Sequence, residues 1–280
     1  MLTSITDQQW REYEELGYLK IGSIGPEALR KMQERIDAIM LGRAAVDYDR
    51  MLMQRDSDTG RYDDAGVQSK GFKGATLNYR KIQDLEYDPL FLEYLQHPCF
   101  EALCQRVYGE AARVAIFRAM FMNKPANKGT FLPWHQDRWT DLDRDPLLTV
   151  WTALDPATRE NGCVQVVPRS HRHGLINPSH PSGFLSEAQA AAICTEDRIV
   201  HVELEPGEVV ILHNYLLHAS DVNRSGQSRR AFSVCYMDAA TLQNGAPNPF
   251  PIAFGERALH PQQPGGVTAS SPVESAPASR

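Results

Sequence analysis

The stretch Pro133–Arg138, PWHQDR, places a histidine and an aspartate two residues apart. On extended backbone successive side chains alternate in direction, so His135 and Asp137 leave the same face of a strand. A neutral imidazole and a carboxylate held side by side can take adjacent corners of an octahedral metal site. One more histidine completes a two-histidine, one-carboxylate facial triad, which leaves three positions open for ligands and O2 on Fe(II). By itself the HxD pair is a weak signal, because chance produces it often.

Two downstream histidines compete for the third position. The apolar run Val209–Leu212 ends in His213, and the pair Leu216–Leu217 leads to His218. Arg229 stands eleven residues after His218, at the head of the strand-like Arg230–Tyr236, with the turn-like polar stretch Asp221–Ser228 between. His218 and Arg229 would then lie on adjacent antiparallel strands facing one interior. A buried arginine without a partner is costly, whereas a guanidinium beyond an open iron would clamp a dicarboxylate through two parallel hydrogen bonds. That spacing, with Ala219–Ser220 following, favours His218 over His213. His171 and His173 form a second spaced pair but sit among Arg169, Ser170 and Arg172 in a loop. His97, His180, His201 and His260 read as surface or capping residues. Gln165 alternates with Cys163 and Val167, so it is expected to point inward toward substrate or cosubstrate. Trp134, Trp139 and Trp151 could line a pocket, though strand aromatics are more often core, and Trp151 is the strongest of the three. Arg230 reads as an outward-facing neighbour of Arg229, and Arg138 and Asp141–Asp145 as a solvated charged turn.

The elements that must position these groups come in two kinds. Thr6 and Gln9 form a capping box opening a helix over 8–16 that Gly17 closes. Tyr18–Ile21 is a brief strand, and Pro26 starts a stronger helix to Leu41 with Leu29, Met32, Ile36, Ile39 and Met40 on one face. Residues 44–74 are polar and Asp/Gly-rich without sustained period, as in an active-site lid or a disordered segment. Another helix is expected over 89–108. From Val114 onward short β-type runs follow, over 114–122, 147–154, 163–167, 199–204, 208–212 and 231–237, separated by turns such as Asn161–Gly162 and Pro206–Gly207. A second capping box, Ser186 with Gln189, opens an alanine-rich helix inside the polar excursion 182–197, a second candidate lid. The pattern predicts a mainly β fold with flanking helices and a jelly-roll core. One domain is expected over 1–260, helical over 1–112 and jelly roll over 113–240, with a flexible tail over 261–280.

Composition narrows the function classes. The 280 residues carry 29 Lys+Arg against 35 Asp+Glu, a formal charge of -6. General nucleic-acid binding needs a basic footprint, so a small-molecule partner is expected instead. No apolar run approaches the length that spans a bilayer. The residues 1–10 lack the pattern of a secretory signal. The five cysteines include no CxxC pair, so reduced thiols in a cytoplasmic protein are expected. Oligomeric state is not legible.

His135, Asp137, His218 and Arg229, in that order, resemble the phytanoyl-CoA dioxygenase family of Fe(II)- and 2-oxoglutarate-dependent oxygenases. Further segments agree: KIQD at 81–84, MFMNKP at 120–125, VWTAL at 150–154, NGC at 161–163 and VPRSH at 167–171. The resemblance runs from about Ile5 to Asp238. It implies a double-stranded β-helix of cupin-like type, iron on His135, Asp137 and His218, and the distal carboxylate of 2-oxoglutarate on Arg229. Lys81, Met120, Trp151 and Ser220 fall where the phytanoyl-CoA enzyme contacts its cosubstrate. The chain departs from the family at Arg169, where a small residue, usually glycine, follows the proline. The implied reaction oxidises a C–H bond with release of succinate and CO2. Related halogenases carry a small residue in place of the aspartate, so Asp137 implies hydroxylation; desaturation, cyclisation and ketone formation would use the same residues. The alternatives are a non-catalytic metal-binding jelly roll and a zinc hydrolase on the same triad.

Overall fold

The computed structural model describes residues 2–247 and 250–261, so the tail expected over 261–280 lies outside the described residues except for Pro261. Helix α1 (Asp7–Leu16) opens on the expected capping box: the Thr6 hydroxyl accepts from the Gln9 N–H, and the Gln9 side chain accepts from the Thr6 N–H. Gly17 closes it at φ 82, a left-handed conformation that a side chain would resist. Strand β1 (Tyr18–Ser23) and helix α2 (Pro26–Met40) follow.

Two expectations need correction. The polar segment 44–74 is not without regular structure, since it contains strands β2 (Leu52–Arg55) and β3 (Ser69–Lys70), which pair with each other. Strands of four and two residues are too short to show a period in sequence. The helix expected over 89–108 is in fact two, α3 (Pro89–Leu95) and α4 (Pro98–Tyr108), following strand β4 (Tyr79–Ile82). Pro98 lacks an N–H and its ring drives His97 out of the helical region, so the helix breaks there. His97 then caps the second helix, its ring accepting from the Cys99 N–H at 3.1 Å.

The remaining elements are β5 (Val114–Lys124), β6 (Leu132–His135), β7 (Leu148–Ala153), β8 (Val164–Val166), α5 (Glu187–Ile193), β9 (Val200–Val202), β10 (Glu208–His213), β11 (His218–Ser220), β12 (Arg229–Asp238), β13 (Leu242–Gln243), β14 (Ala246–Pro247) and β15 (Ile252–Phe254). The larger sheet runs β1-β10-β7-β12-β5-β4-β2-β3, with β15 also on β5; the smaller runs β6-β11-β8-β9, and β13 pairs with β14. The two main sheets face each other as a jelly roll. Between them pack Trp151, Val164, Val166, Val210 and Leu212. On the other face of the larger sheet, Ile36, Met40, Phe91 and Phe100 from the helices meet Val150, Ile211, Phe232 and Val234. Covered on both sides, all six residues of β7 are buried. Residues before 113 are therefore not only helical, because they supply β1 at one edge of the larger sheet and β4, β2 and β3 at the other. An edge strand leaves ladder groups unpaired, and these additions satisfy them.

One buried acid sets a pH dependence of stability. Glu86 lies in the short 3-10 turn Leu85–Tyr87, buried, with Oε2 lacking a partner among the described residues. Burial first, and then the neighbouring Asp84, push its carboxyl up to about 8 from an ordinary 4.5. The folded chain keeps a proton that the unfolded chain releases. The contribution of this group to stability is therefore full below the unfolded value and is lost as pH rises through the folded one. Glu86→Gln is expected to match the wild-type melting temperature near pH 4.5 and to exceed it increasingly toward pH 8. Calorimetric melts across that range check it, and a difference that does not change with pH would refute the assignment.

Candidate active site

β6 and β11 pair antiparallel with His218 directly opposite His135. Directly opposed side chains on one sheet face are close neighbours, and here the ring centroids are 4.1 Å apart. Asp137 follows just beyond the end of β6, its N–H donating to the Asn214 carbonyl at 2.7 Å. Its two carboxylate oxygens stand 3.8 Å from His135 Nε2 and 3.8 Å from His218 Nε2. One donor atom from each residue lies within 4.8 Å of the others. His135 Nδ1 is 2.8 Å from the Pro133 carbonyl, and His218 Nδ1 is 2.9 Å from the Leu216 carbonyl. A carbonyl can only accept, so both Nδ1 atoms carry the hydrogen, which turns both Nε2 atoms toward Asp137 as the nitrogens that could ligate a metal. Burial, then the adjacent His218, push the His135 imidazole down to about 3, which keeps it neutral. Two imidazoles and one carboxylate, converging on one point, fit a divalent first-row metal.

The residue inside the HxD pair does the anchoring. Gln136 is buried, and its amide donates to the Gly174 and Tyr215 carbonyls at 2.8 and 2.7 Å while accepting from the Ile176 N–H at 2.8 Å. Its own N–H donates to the Gly183 carbonyl. Gly183 sits at φ +68, where a Cβ would stand 2.0 Å from the Gln136 carbonyl oxygen, so only glycine allows this approach. The approach seats Phe184 against His135, ring centroids 5.0 Å apart, and Tyr62 against Phe184 at 5.4 Å. Both polar segments expected as lids thus meet over the histidines. On the other side, Ser170 Oγ accepts from the Leu217 N–H at 2.8 Å, fixing the residue before His218. Arg169 holds the turn at φ 69, the left-handed conformation for which the family's usual glycine is suited.

A cavity of about 310 Å³ opens from the triad. Arg229, Ser220, Trp151, Lys81 and Met120 all line it. Arg229 is buried and pairs with no carboxylate among the described residues; its Nε has no hydrogen-bond partner, and its guanidinium carbon lies 5.4 Å from the Trp151 ring centre. Burial pulls it down to about 10. Lys81 is pulled down to about 7, by burial first and then by Arg80 and Arg118. A buried guanidinium without a counter-charge is the feature that a bound dicarboxylate would satisfy.

Other expectations fall differently. Gln165 is not a lining residue: Val164 lines the cavity, and Gln165 sits between Val164 and Val166 on β8, opposite His201 and Ala219, so its side chain leaves on the other side. His213 lies outside the cavity, its ring 5.0 Å from that of His171, so two histidines set aside as ligands pack on each other. The charged stretch after Asp137 is not a free solvated turn. Asp145 accepts from the Tyr215 hydroxyl at 2.8 Å, Arg144 pairs with Asp238 at 2.7 Å, and Arg138 and Trp139 line the cavity. Arg230 points away from the cavity to a forked pair with Asp155 at 2.8 Å. Sequence reasoning missed Arg118, Tyr62 and Phe184, which also line the cavity. Arg118 shares the even-numbered positions of β5 with Met120 and Met122, a signal present in the sequence.

A ligand set confined to one side of a metal leaves the other side free for a chelating cosubstrate and O2, and on a jelly roll this describes the non-haem iron oxygenases. The chain belongs to the phytanoyl-CoA dioxygenase (PhyH) family, whose pattern matches residues 13–231; it is a 2-oxoglutarate-dependent dioxygenase that uses Fe(II). A probable phytanoyl-CoA dioxygenase of Caenorhabditis elegans is 29% identical over 243 residues, covering 83% of this chain and 75% of that one. Among solved structures, EctD from S. alaskensis with 2-oxoglutarate and 5-hydroxyectoine superimposes with a TM-score of 0.66 at 19% identity, over 88% of this chain and 82% of that one. The α-ketoglutarate-dependent carbocyclase SnoK from nogalamycin biosynthesis gives 0.60 at 19% identity, over 88% and 90%. At such identities these likenesses show the shared fold.

Proposed function

We propose that His135, Asp137 and His218 hold the iron and that Arg229 with Ser220 takes the distal carboxylate of 2-oxoglutarate. Lys81, Met120 and Trp151 line the bed of that cosubstrate. The bound ferrous ion supplies the redox chemistry that couples O2 and the decarboxylation of 2-oxoglutarate to oxidation of a C–H bond, with release of succinate and CO2. The protein holds the reactants in place. Arg229 fixes one end of the cosubstrate, and the Nδ1–H bonds of both histidines fix the direction of their lone pairs. Phe184 and Tyr62 cover the histidines and exclude bulk water. Asp137 fills the position that a halide would need, which favours hydroxylation over halogenation, with desaturation, cyclisation and ketone formation open to the same residues. The observation that carries this reading is Arg229, buried and unpaired in the same cavity as the triad.

The substrate is a small molecule, in keeping with the cavity size and with a net charge of -6 that gives nucleic acid no basic footprint. Residues 1–260 act as one dioxygenase domain, since the larger sheet draws strands from both sides of residue 112. A reducing compartment such as the cytosol is supported by five cysteines that are all free. No helix among the described residues is long and apolar enough to cross a membrane.

The test is succinate formation from 2-oxoglutarate under air. Purified protein stripped with a chelator should be silent, recover with Fe(II), and stay silent with Zn(II), which has no redox chemistry. Recovery of a hydrolytic activity with Zn(II), and none of succinate release with Fe(II), would overturn the proposal.

A further inference from the structure

The cavity carries more positive charge than iron and 2-oxoglutarate can use. Its lining cations are Lys81, Arg118, Arg138 and Arg229, against the single carboxylate of Asp137. Fe(II) and Arg229 carry three positive charges, met by Asp137 and the two carboxylates of the cosubstrate, the distal one on Arg229. Arg138 has Asp145 at 3.9 Å. Lys81 and Arg118 are left, and neither makes a hydrogen bond or ion pair among the described residues.

Arg118 is held in place by rings. Its guanidinium carbon lies 4.7 Å from the Trp139 ring centre and 4.9 Å from that of Phe117, and those two rings are 4.4 Å apart. A β-bulge does the aiming. Tyr236 pairs with Ile116 and Cys235 with Arg118, which leaves Phe117 as an extra residue in β5. Before the bulge Val114 and Ile116 face the helices; after it Ala119 and Phe121 do, and Arg118, Met120 and Met122 turn to the cavity.

Arg118 is also far from the cosubstrate's anchor. On the same strand pair Arg118 pairs with Cys235, and Arg229 with Lys124 at its end. Six residues of β12 separate the two positions, roughly 20 Å between their backbones at the usual strand rise. The distal carboxylate taken by Arg229 is a different anion from the one that Arg118 would hold. Gln68, whose buried Nε2 lacks a partner, lines the same cavity and adds a further unused donor.

We infer that the prime substrate carries a carboxylate, docked on Arg118 at the end of the cavity remote from Arg229, and that this contact selects substrate and sets its pose. The inference rests on the proposed iron and 2-oxoglutarate site and names the substrate class of that site. A forked guanidinium–carboxylate pair suits a side chain held against two aromatic rings. Such a contact is worth about 1.5–3 kcal/mol, or roughly a 10- to 150-fold preference for an acid over its uncharged amide.

The full chain, loaded anaerobically with Fe(II) and excess 2-oxoglutarate, is titrated calorimetrically with matched pairs: hexanoate and hexanamide, benzoate and benzamide, N-acetylglycine and its amide. The visible charge-transfer band of the iron–cosubstrate chelate is followed in the same samples. At least one acid should bind ten-fold or more tightly than its amide while the band persists, showing that it has not displaced 2-oxoglutarate. Arg118→Gln should keep the band and bring the acid-to-amide ratio to about one, and Arg118→Lys should keep part of the preference. The inference fails if no acid outbinds its amide, or if the preference survives in Arg118→Gln. Absence of the band from the wild-type protein is a different result: it overturns the iron and cosubstrate reading and removes the basis of this one with it.

Discussion

His218→Ala and Asp137→Ala should each abolish the visible charge-transfer band and the release of succinate, whereas His213→Ala keeps both. The two histidines each follow an apolar stretch of the same segment, but their surroundings differ in kind. His218 stands opposite His135 across a strand pair, with its lone-pair nitrogen 3.8 Å from Asp137. His213 packs on His171 and its Nδ1 accepts from the Tyr215 N–H at 3.0 Å, so that nitrogen is already engaged. A triad has no spare donor. Removing an outer hydrogen-bond partner of a metal ligand costs about 10- to 100-fold in affinity, and removing the ligand itself exceeds that. Iron titration monitored at the charge-transfer band decides the matter. Loss of the band in His213→Ala, with retention in His218→Ala, would exchange the two assignments.

Arg229→Met should move stability and binding in opposite directions. In the protein without cosubstrate the guanidinium is buried, unpaired at Nε, and pulled down toward 10 by burial. Replacing a buried charge that lacks a partner with an apolar side chain of similar length stabilises by about 1–4 kcal/mol. A protein of this size gains a few degrees of melting temperature for each kcal/mol, so the rise is measurable. Affinity for 2-oxoglutarate falls at the same time, because the distal carboxylate is left without its counter-charge. That loss is about 2–5 kcal/mol, roughly 30- to 5,000-fold. Arg229→Lys retains the charge but loses the forked geometry, so it recovers only part of the affinity. Melts with and without 2-oxoglutarate test both halves. If Arg229→Met destabilises the chain without cosubstrate, the residue has a structural partner and the cosubstrate role is refuted.

Much of this was written locally. Thr6, Gly17, Ser186 and Pro26 place helix ends through contacts within a few residues, and those ends stand where short-range chemistry puts them. The two-residue spacing of His135 and Asp137 likewise needs only strand periodicity and the turn that follows. Pro98 carried a local signal too, and its missing N–H is why one expected helix became two.

What the chain could not show residue by residue was which face of each strand looks inward. Side-chain direction alternates every residue, so a face has meaning only against a register, and register is fixed by pairing with strands far away. On β8 that pairing sends Val164 to the cavity and Gln165 away from it. On β5 one extra residue, Phe117, reverses the alternation and delivers Arg118 to the cavity. The closure of Gly183 on Gln136, which brings Phe184 and Tyr62 over the histidines, joins segments that share no periodicity at all. The sequence by itself determined the chemistry these residues are capable of and the family to which they belong. Tertiary packing decided which of them face one another, because only long-range pairing converts alternation along a strand into an inside and an outside.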